Sequence, residues 1–325
     1  MRILSGIQPT GSIHIGNYLG AIKHWVSLQE KADCIFFIAD LHSLTIPYNS
    51  SALQKNILDA AIAHLAVGID PSKSILFVQS QVKEHAELCW LLTTITPIGD
   101  LQRMTQYKEK TKQFRKDINA GLLNYPILQA ADILLYQTDL VPVGKDQLQH
   151  IEFARTIARR FNSRFGKTFK EPAGQIPKVG ARIMSLNNPK QKMSKSLGPQ
   201  SYISLFENPE EIQKKIMSAV TDTGKNIKYD PERKPGISNL ITIFSLFSEK
   251  SIKRIEEDFQ NKGYAEFKKS LAKLLIDSLE PFRKKKKELD QREVYVKEIL
   301  TQGNKRAQII ANSTMTGVRK KMGLV

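Results

Sequence analysis

Cys34-Ile35-Phe36-Phe37-Ile38-Ala39 is an unbroken apolar run. A strand with one wet face would alternate polar and apolar residues, so this run marks a strand buried on both faces, the habit of parallel sheets. Similar strands flank it at residues 2–5 and at Ser74-Ile75-Leu76-Phe77-Val78. Between them the apolar spacing lengthens. Leu19, Ile22 and Val26 recur near helical period over residues 15–30, a second helix over 52–67 stops at Gly68, and a third begins near Glu84. The βαβαβ order with right-handed crossovers predicts a doubly wound α/β sheet. Ligands of such sheets sit at the carboxyl ends of the strands. Gly6, Asp40 and Gln79 fall at three of those ends.

Further along, residues 99–144 are mostly helical and read as a connecting insertion. Leu140-Val141-Pro142-Val143 returns to the sheet, and a helix over 146–165 follows. Beyond a Lys/Ser-rich loop the pattern is helical at 209–220, 237–248, 252–259 and 263–300, with one more helix at 305–322. The reading is a Rossmann-like domain over 1–204 and an all-helical domain over 205–325, whose last helix is able to return to the first domain.

The formal charge of +17 favours a polyanionic partner, either nucleic acid or an anionic membrane surface. No apolar run is long enough to span a bilayer, and residues 1–6 lack a signal core. Cys34 and Cys89 lie far apart without a Cys-x-x-Cys pattern, which argues against a disulfide scaffold or metal site and for a reduced, cytoplasmic protein.

Two stretches carry chemistry. In Gly6-Ile7-Gln8-Pro9-Thr10-Gly11-Ser12-Ile13-His14-Ile15-Gly16-Asn17 a strand runs through a turn into a helix start. Free backbone N–H groups and the positive helix end then converge, a natural anion site. Gly16 lets a flat base approach the backbone, and His14 is able to donate to a phosphate. An ordinary corner with a capping histidine fits equally well. Gln191-Lys192-Met193-Ser194-Lys195-Ser196 is a cationic arm whose lysines would stabilise a departing pyrophosphate. By composition alone it is also a solvated basic loop.

In this order the two strings resemble the "HIGH" element (here His14-Ile15-Gly16-Asn17) and the "KMSKS" loop of class I aminoacyl-tRNA synthetases. Over nearly the whole chain the resemblance is to the bacterial- or organellar-type tryptophanyl-tRNA synthetases. Further landmarks are Gly121-Leu122-Leu123-Asn124-Tyr125-Pro126, Ala130-Ala131-Asp132-Ile133-Leu134-Leu135-Tyr136 and Val141-Pro142-Val143-Gly144-Lys145-Asp146-Gln147. Two more are Gly180-Ala181-Arg182-Ile183-Met184-Ser185-Leu186 and Lys234-Pro235-Gly236-Ile237-Ser238-Asn239-Leu240.

The resemblance implies a ligase that activates L-tryptophan with ATP to tryptophanyl-adenylate and passes it to tRNA(Trp). Mg2+ would accompany the ATP phosphates, with no protein-bound structural metal. The enzyme would be a homodimer, and the helical domain would bind the anticodon. Gln8, Pro9, Thr10, Gly16 and Asn17 would line the nucleotide. Gly144 and Asp146, with Lys145 between them, would meet the ribose, while Ile183 and Met193 would hold the adenine. Lys192, Ser194, Lys195 and Ser196 of the loop would face the phosphates. Lys110 would join them, although Lys108, Lys110 and Lys112 also read as a solvated helix face. Asp132 would accept the indole N–H, a contact that discriminates strongly because a wrong substrate leaves a buried polar group unpaired. Tyr125 and Gln147 suit the substrate ammonium, and His42 the indole. Lys214, Lys215, Arg233 and Lys234 would contact tRNA phosphates.

Three positions depart from the common pattern of the family: Leu4 for an aromatic residue, Gln129 for Met, and Lys145 for an acidic residue. None removes a group the chemistry needs. The alternatives are a tyrosine-specific sister, a small-molecule adenylyltransferase, and a non-catalytic RNA-binding paralogue.

Overall fold

The computed structural model describes residues 1–9, 13–113, 118–176, 183–224 and 226–325, the side chains of 110, 112, 113 and 145 excepted. Thr10, Lys110, Lys145 and the stretch 180–182 therefore lie, wholly or in their side chains, outside the described residues. Two compact units divide the chain. One comprises residues 1–11, 25–177 and 292–325, the other 12–24 and 178–291.

The first unit is built on five parallel strands: β1 (Arg2–Ile7), β2 (Asp33–Ile38), β3 (Ser74–Val78), β4 (Leu140–Pro142) and β5 (Ala173–Gln175). Their order is β3-β2-β1-β4-β5, and β1 pairs with β2 from Arg2↔Asp33 to Ile7↔Ile38. The order reverses between β1 and β4, so the ligand crevice of this doubly wound sheet is expected beyond Ile7 and Pro142. β2 and β3 are buried almost throughout, as their apolar runs require. A Cβ on Gly6 would lie 2.4 Å from the ring of Phe37 across the strand pair, so any side chain there would force that buried ring to shift.

Helices Ser50–Ala66, Glu84–Thr93, Ala120–Leu135, Leu148–Phe165 and Glu293–Met322 surround the sheet. The last covers the outer edge at β3. Asn304 Oδ1 accepts the Val78 N–H at 3.0 Å, and the Arg306 guanidinium donates to the Ser74 carbonyl at 3.1 Å. Both use backbone groups that an open edge strand would leave unpaired. Contact is close because Gly303 carries no side chain; a Cβ there would sit 1.8 Å from the Leu76 carbonyl oxygen.

The second unit is helical, with Pro209–Ser218, Pro235–Ser248, Ile252–Asp258 and Tyr264–Asp290. Its core includes the stacked and edge-on rings of Phe244, Phe259 and Phe267. Lys268, only 8% exposed, donates to the carbonyls of Met217 and Ala219 and caps the Pro209–Ser218 helix.

Several expectations shift. The chain is not divided at residue 204: residues 183–204 join the second unit, tied by Ile15 N–H to the Ile203 carbonyl (3.0 Å) and by a reciprocal amide pair between Met184 and Asn239. The break expected between 300 and 305 falls at 291–292 instead, since Gly303 is a close-packing glycine and not a stop. The helix expected over 15–30 is interrupted, with an α-turn Ile15–Asn17, a π-helical turn Tyr18–Ile22 and an α-helix Lys23–Leu28.

Candidate active site

In the first unit Asp132 is the most committed polar group. It lies on the Ala120–Leu135 helix among Ala131, Ile133 and Leu134 and is 1% exposed. Its Oδ1 accepts from Gln79 Nε2 at 2.7 Å and pairs with His85 Nδ1 at 2.6 Å; its Oδ2 pairs with His42 Nε2 at 2.9 Å. His85 Nε2 meets the Tyr136 hydroxyl at 2.8 Å. Burial alone would raise the Asp132 carboxyl, but the hydrogen bonds from His42 and His85 outweigh it and bring the group down to about 2. It is therefore a carboxylate with three protein donors. A carboxylate offers about four acceptor positions, so one remains, on Oδ2.

The strand ends hold these partners in place. Gln79 follows β3 directly, and its amide oxygen accepts the Leu41 N–H at 3.1 Å, which turns its nitrogen toward Asp132. Asp40, two residues after β2, accepts from the N–H groups of Leu41 and Ser80. Leu4 is buried in the core beneath, and Gln129 is half-buried on the same helix as Asp132. His42 meets Tyr125 edge-on with ring centroids 6.4 Å apart. The Tyr125 hydroxyl is 3.0 Å from His150 Nε2, and burial followed by the Glu109 charge raises it above its usual value, so it keeps its proton.

At the β1/β4 switch point, Gln8 and Pro9 follow β1, and Gly144 and Asp146 follow β4. A Cβ on Gly144 would lie 2.6 Å from Asp146 Oδ1, so only glycine lets that carboxylate fold over the backbone. Gln147 Nε2 donates to Asp146 Oδ2 at 3.0 Å. The amide oxygen of Gln147, the atom an ammonium would need, is the end not engaged with Asp146.

The second unit brings together His14, Gly16, Asn17 and the 192–196 loop. His14 and Asn17 cap each other: Nδ1 of His14 accepts the Asn17 N–H, and Oδ1 of Asn17 accepts the His14 N–H, both at 3.2 Å. Burial, then the charges of Lys195 and Lys192, lower His14 to about 4. The imidazole is thus neutral near pH 7. Because Nδ1 accepts, the ring proton lies on Nε2, and that atom is a donor. The capping and phosphate-facing readings of His14 are therefore compatible, one nitrogen serving each. A Cβ on Gly16 would stand 3.0 Å from the His14 ring and 3.6 Å from Met193 Cβ.

The loop begins from a short bridge in which the Met193 N–H donates to the Ile183 carbonyl at 3.0 Å. That bond engages one backbone group on each of the two residues expected to hold adenine. Ser194 caps the following turn by accepting the Ser196 N–H at 3.4 Å. Lys195 is half-buried, and desolvation lowers its ammonium. Lys192 is exposed.

The proposed phosphate contacts divide. Lys214 and Arg233 are exposed. Lys215 is 4% exposed, paired with Glu207 at 2.7 Å and placed over the Tyr202 ring, so it is a structural cation. Lys234 is held by Asp222 and Tyr264. In the basic run 283–287, Lys284, Lys285 and Lys286 each face an acid three or four residues away, the solvated helix-face pattern, whereas Arg283 is mostly buried and donates to Glu280 and to the Ile276 carbonyl.

His85, Tyr136 and Gln79 were not assigned roles from sequence. Gln79 was visible only as a strand end, and Tyr136 only as the last residue of a landmark string. His85 had no signal of its own, because only the fold carries it to Asp132.

The chain is similar to a tryptophan–tRNA ligase of Caldanaerobacter subterraneus, 49% identical over all of this chain and 98% of the relative. A tryptophanyl-tRNA synthetase from Campylobacter jejuni, crystallised with ADP and tryptophan, superposes with a TM-score of 0.87 at 40% identity, over 99% of this chain and all of that one. The Mycoplasma pneumoniae synthetase gives 0.89 at 36% identity, over 100% and 98% of the two chains. The model of the class I tRNA synthetases (W and Y) matches residues 1–280, and the chain belongs to that family.

Proposed function

We propose that the chain is a tryptophan–tRNA ligase. The tryptophan carboxylate attacks the α-phosphorus of ATP, and pyrophosphate leaves with the electrons of the broken P–O bond. A terminal ribose hydroxyl of tRNA(Trp) then attacks the acyl carbon of the adenylate and releases AMP. Little covalent work falls to the protein, which positions reactants and stabilises charge.

The observation that carries the reading is Asp132, an ionised, buried carboxylate with one acceptor position left for a donor such as the indole N–H. Tyr125 and Gln147 are assigned to the substrate ammonium. Asp146 is suited to ribose hydroxyls, with Gly144 giving it room. His14, through Nε2–H, and Lys192 and Lys195 are assigned to the phosphates. Preorganised donors of this kind act where charge develops on the leaving group. Mg2+ is assigned to the triphosphate itself, with no protein ligand named. The helical second unit is assigned to the tRNA anticodon arm, with Lys214 and Arg233 as the exposed cations nearest that role. A homodimer and a cytoplasmic location follow from the same resemblance. No helix among the described residues is long and apolar enough to cross a membrane.

Pyrophosphate exchange into ATP, with tryptophan and tyrosine tested separately, decides the reading. Exchange with tryptophan alone is expected. Exchange with tyrosine would keep the chemistry and overturn the pocket. Exchange with neither, in folded protein, would indicate a non-catalytic paralogue.

A further inference from the structure

We infer that His85 and Tyr136 are positioning residues for tryptophan selection: the chain Tyr136–His85–Asp132 fixes which oxygen of Asp132 the substrate reaches. The inference rests on the proposed role of Asp132. Its starting point is how the acceptor positions are filled. Oδ1 takes both Gln79 and His85, which exhausts its two lone pairs. Oδ2 takes His42 alone. The incoming donor is thereby directed to Oδ2, beside the His42 ring.

His85 performs this task only in one tautomer. A neutral imidazole that donates to an ionised Oδ1 carries its proton on Nδ1, and its Nε2 then accepts. The Tyr136 hydroxyl, 2.8 Å from Nε2, supplies the donor that enforces that tautomer. Burial first, then the charges of Asp132 and Glu84, keep the Tyr136 hydroxyl protonated. The imidazole is also fixed in orientation, 0% exposed and packed against Phe77, Phe37 and Tyr136 with ring centroids 5.7, 6.1 and 5.5 Å away. Among the described residues, the hydrogen bonds and ring contacts that hold His85 join it to Asp132, Tyr136, Phe37 and Phe77, none of them assigned to ATP, so its effect should be confined to the amino acid.

The test compares L-tryptophan with its benzothiophene analogue, in which sulfur replaces the indole N–H, by pyrophosphate exchange. In His85→Leu the preference in kcat/KM for tryptophan over the analogue should fall about tenfold or more, as expected for loss of a hydrogen bond to a charged group. KM for ATP should stay within about twofold, since the lost bond does not reach the nucleotide. His85→Asn, whose side-chain N–H reaches where Nδ1 stood, should recover most of the preference. Tyr136→Phe keeps the ring and removes only the hydroxyl, and should lower the preference by about threefold, a weaker effect because it acts through His85. If His85→Leu does not fold, the Asn and Phe variants decide the matter. An unchanged preference in Tyr136→Phe together with an unchanged preference in whichever His85 variant folds would overturn the inference. So would a loss shared equally by tryptophan, analogue and ATP. Absence of tryptophan-dependent exchange in the unmodified protein would overturn the ligase reading itself, a separate failure.

Discussion

The Asp132 cluster and the 192–196 loop treat charge in opposite ways. Asp132 is sunk in apolar surroundings and held by three side chains from separate elements, each with its own supporting contact. The loop cations are exposed or half-buried, and the loop's regular bonds are mostly backbone bridges and Ser–Ser contacts. In the role proposed for Asp132 a recognition group gains from rigidity, because an unpaired carboxylate punishes the wrong substrate. In the role proposed for the loop, a group that meets a leaving pyrophosphate must follow charge as it forms, and long lysine side chains can do so. The two regions should therefore fail differently when altered.

The sharpest test is Asp132→Ala. Use of tryptophan, read as kcat/KM, should fall about a thousandfold, while KM for ATP changes by no more than about threefold. Stability should fall as well, because His42, His85 and Gln79 lose their common acceptor. Equal losses for both substrates would mean a collapsed fold and would erase the contrast. Next in size, Lys195→Ala should slow adenylate formation about a hundredfold, with tryptophan affinity and thermal midpoint nearly unchanged. An unchanged single-turnover rate would remove the loop from the mechanism.

Scaffold changes should separate from both. Gly303→Ala forces a methyl toward the Leu76 carbonyl and should destabilise the protein by about 1–3 kcal/mol in urea unfolding. The ratio of tryptophan to ATP KM values should not move. The smallest effect concerns His14. Its folded value, about 4, lies below the ordinary 6.5, so the unfolded chain binds a proton the folded one does not. Stability from this group therefore rises with pH between about 4 and 6.5. In Lys195→Ala, NMR titration of the His14 ring should give a modestly higher value, since burial, the largest cause, remains. A value unmoved by the substitution would mean that the loop charge does not reach His14.

Much of the architecture was legible because burial writes itself into sequence. β2 and β3 are apolar on both faces, and their residues stand close to where the runs placed them. β5 was not foreseen. Ala173-Gly174-Gln175 has no strand-forming composition and is a strand only because β4 offers it a pairing edge. The break at 291–292 carries no glycine or proline, whereas Gly303, inside the gap expected between the last two helices, is demanded by a carbonyl more than two hundred residues away in sequence. The site followed the same division. Asp132 and the loop lysines are candidates that local strings propose. Lys215 looked like any surface lysine until Glu207 and Tyr202 closed over it. His85 depended on the crossing of two helices that no local pattern encodes.

The helix Glu293–Met322 has a consequence for how the protein is made. The strand whose edge it seals leaves the ribosome early, and the helix leaves it long afterwards, with the whole second unit in between. During synthesis the Val78 amide and the Ser74 carbonyl must wait without Asn304 and Arg306. Nascent chains are therefore exposed to edge-to-edge pairing until residues 304–306 have been made. Chains that terminate before Gly303 should be the ones that aggregate, even though every residue assigned to tryptophan and ATP has already been made.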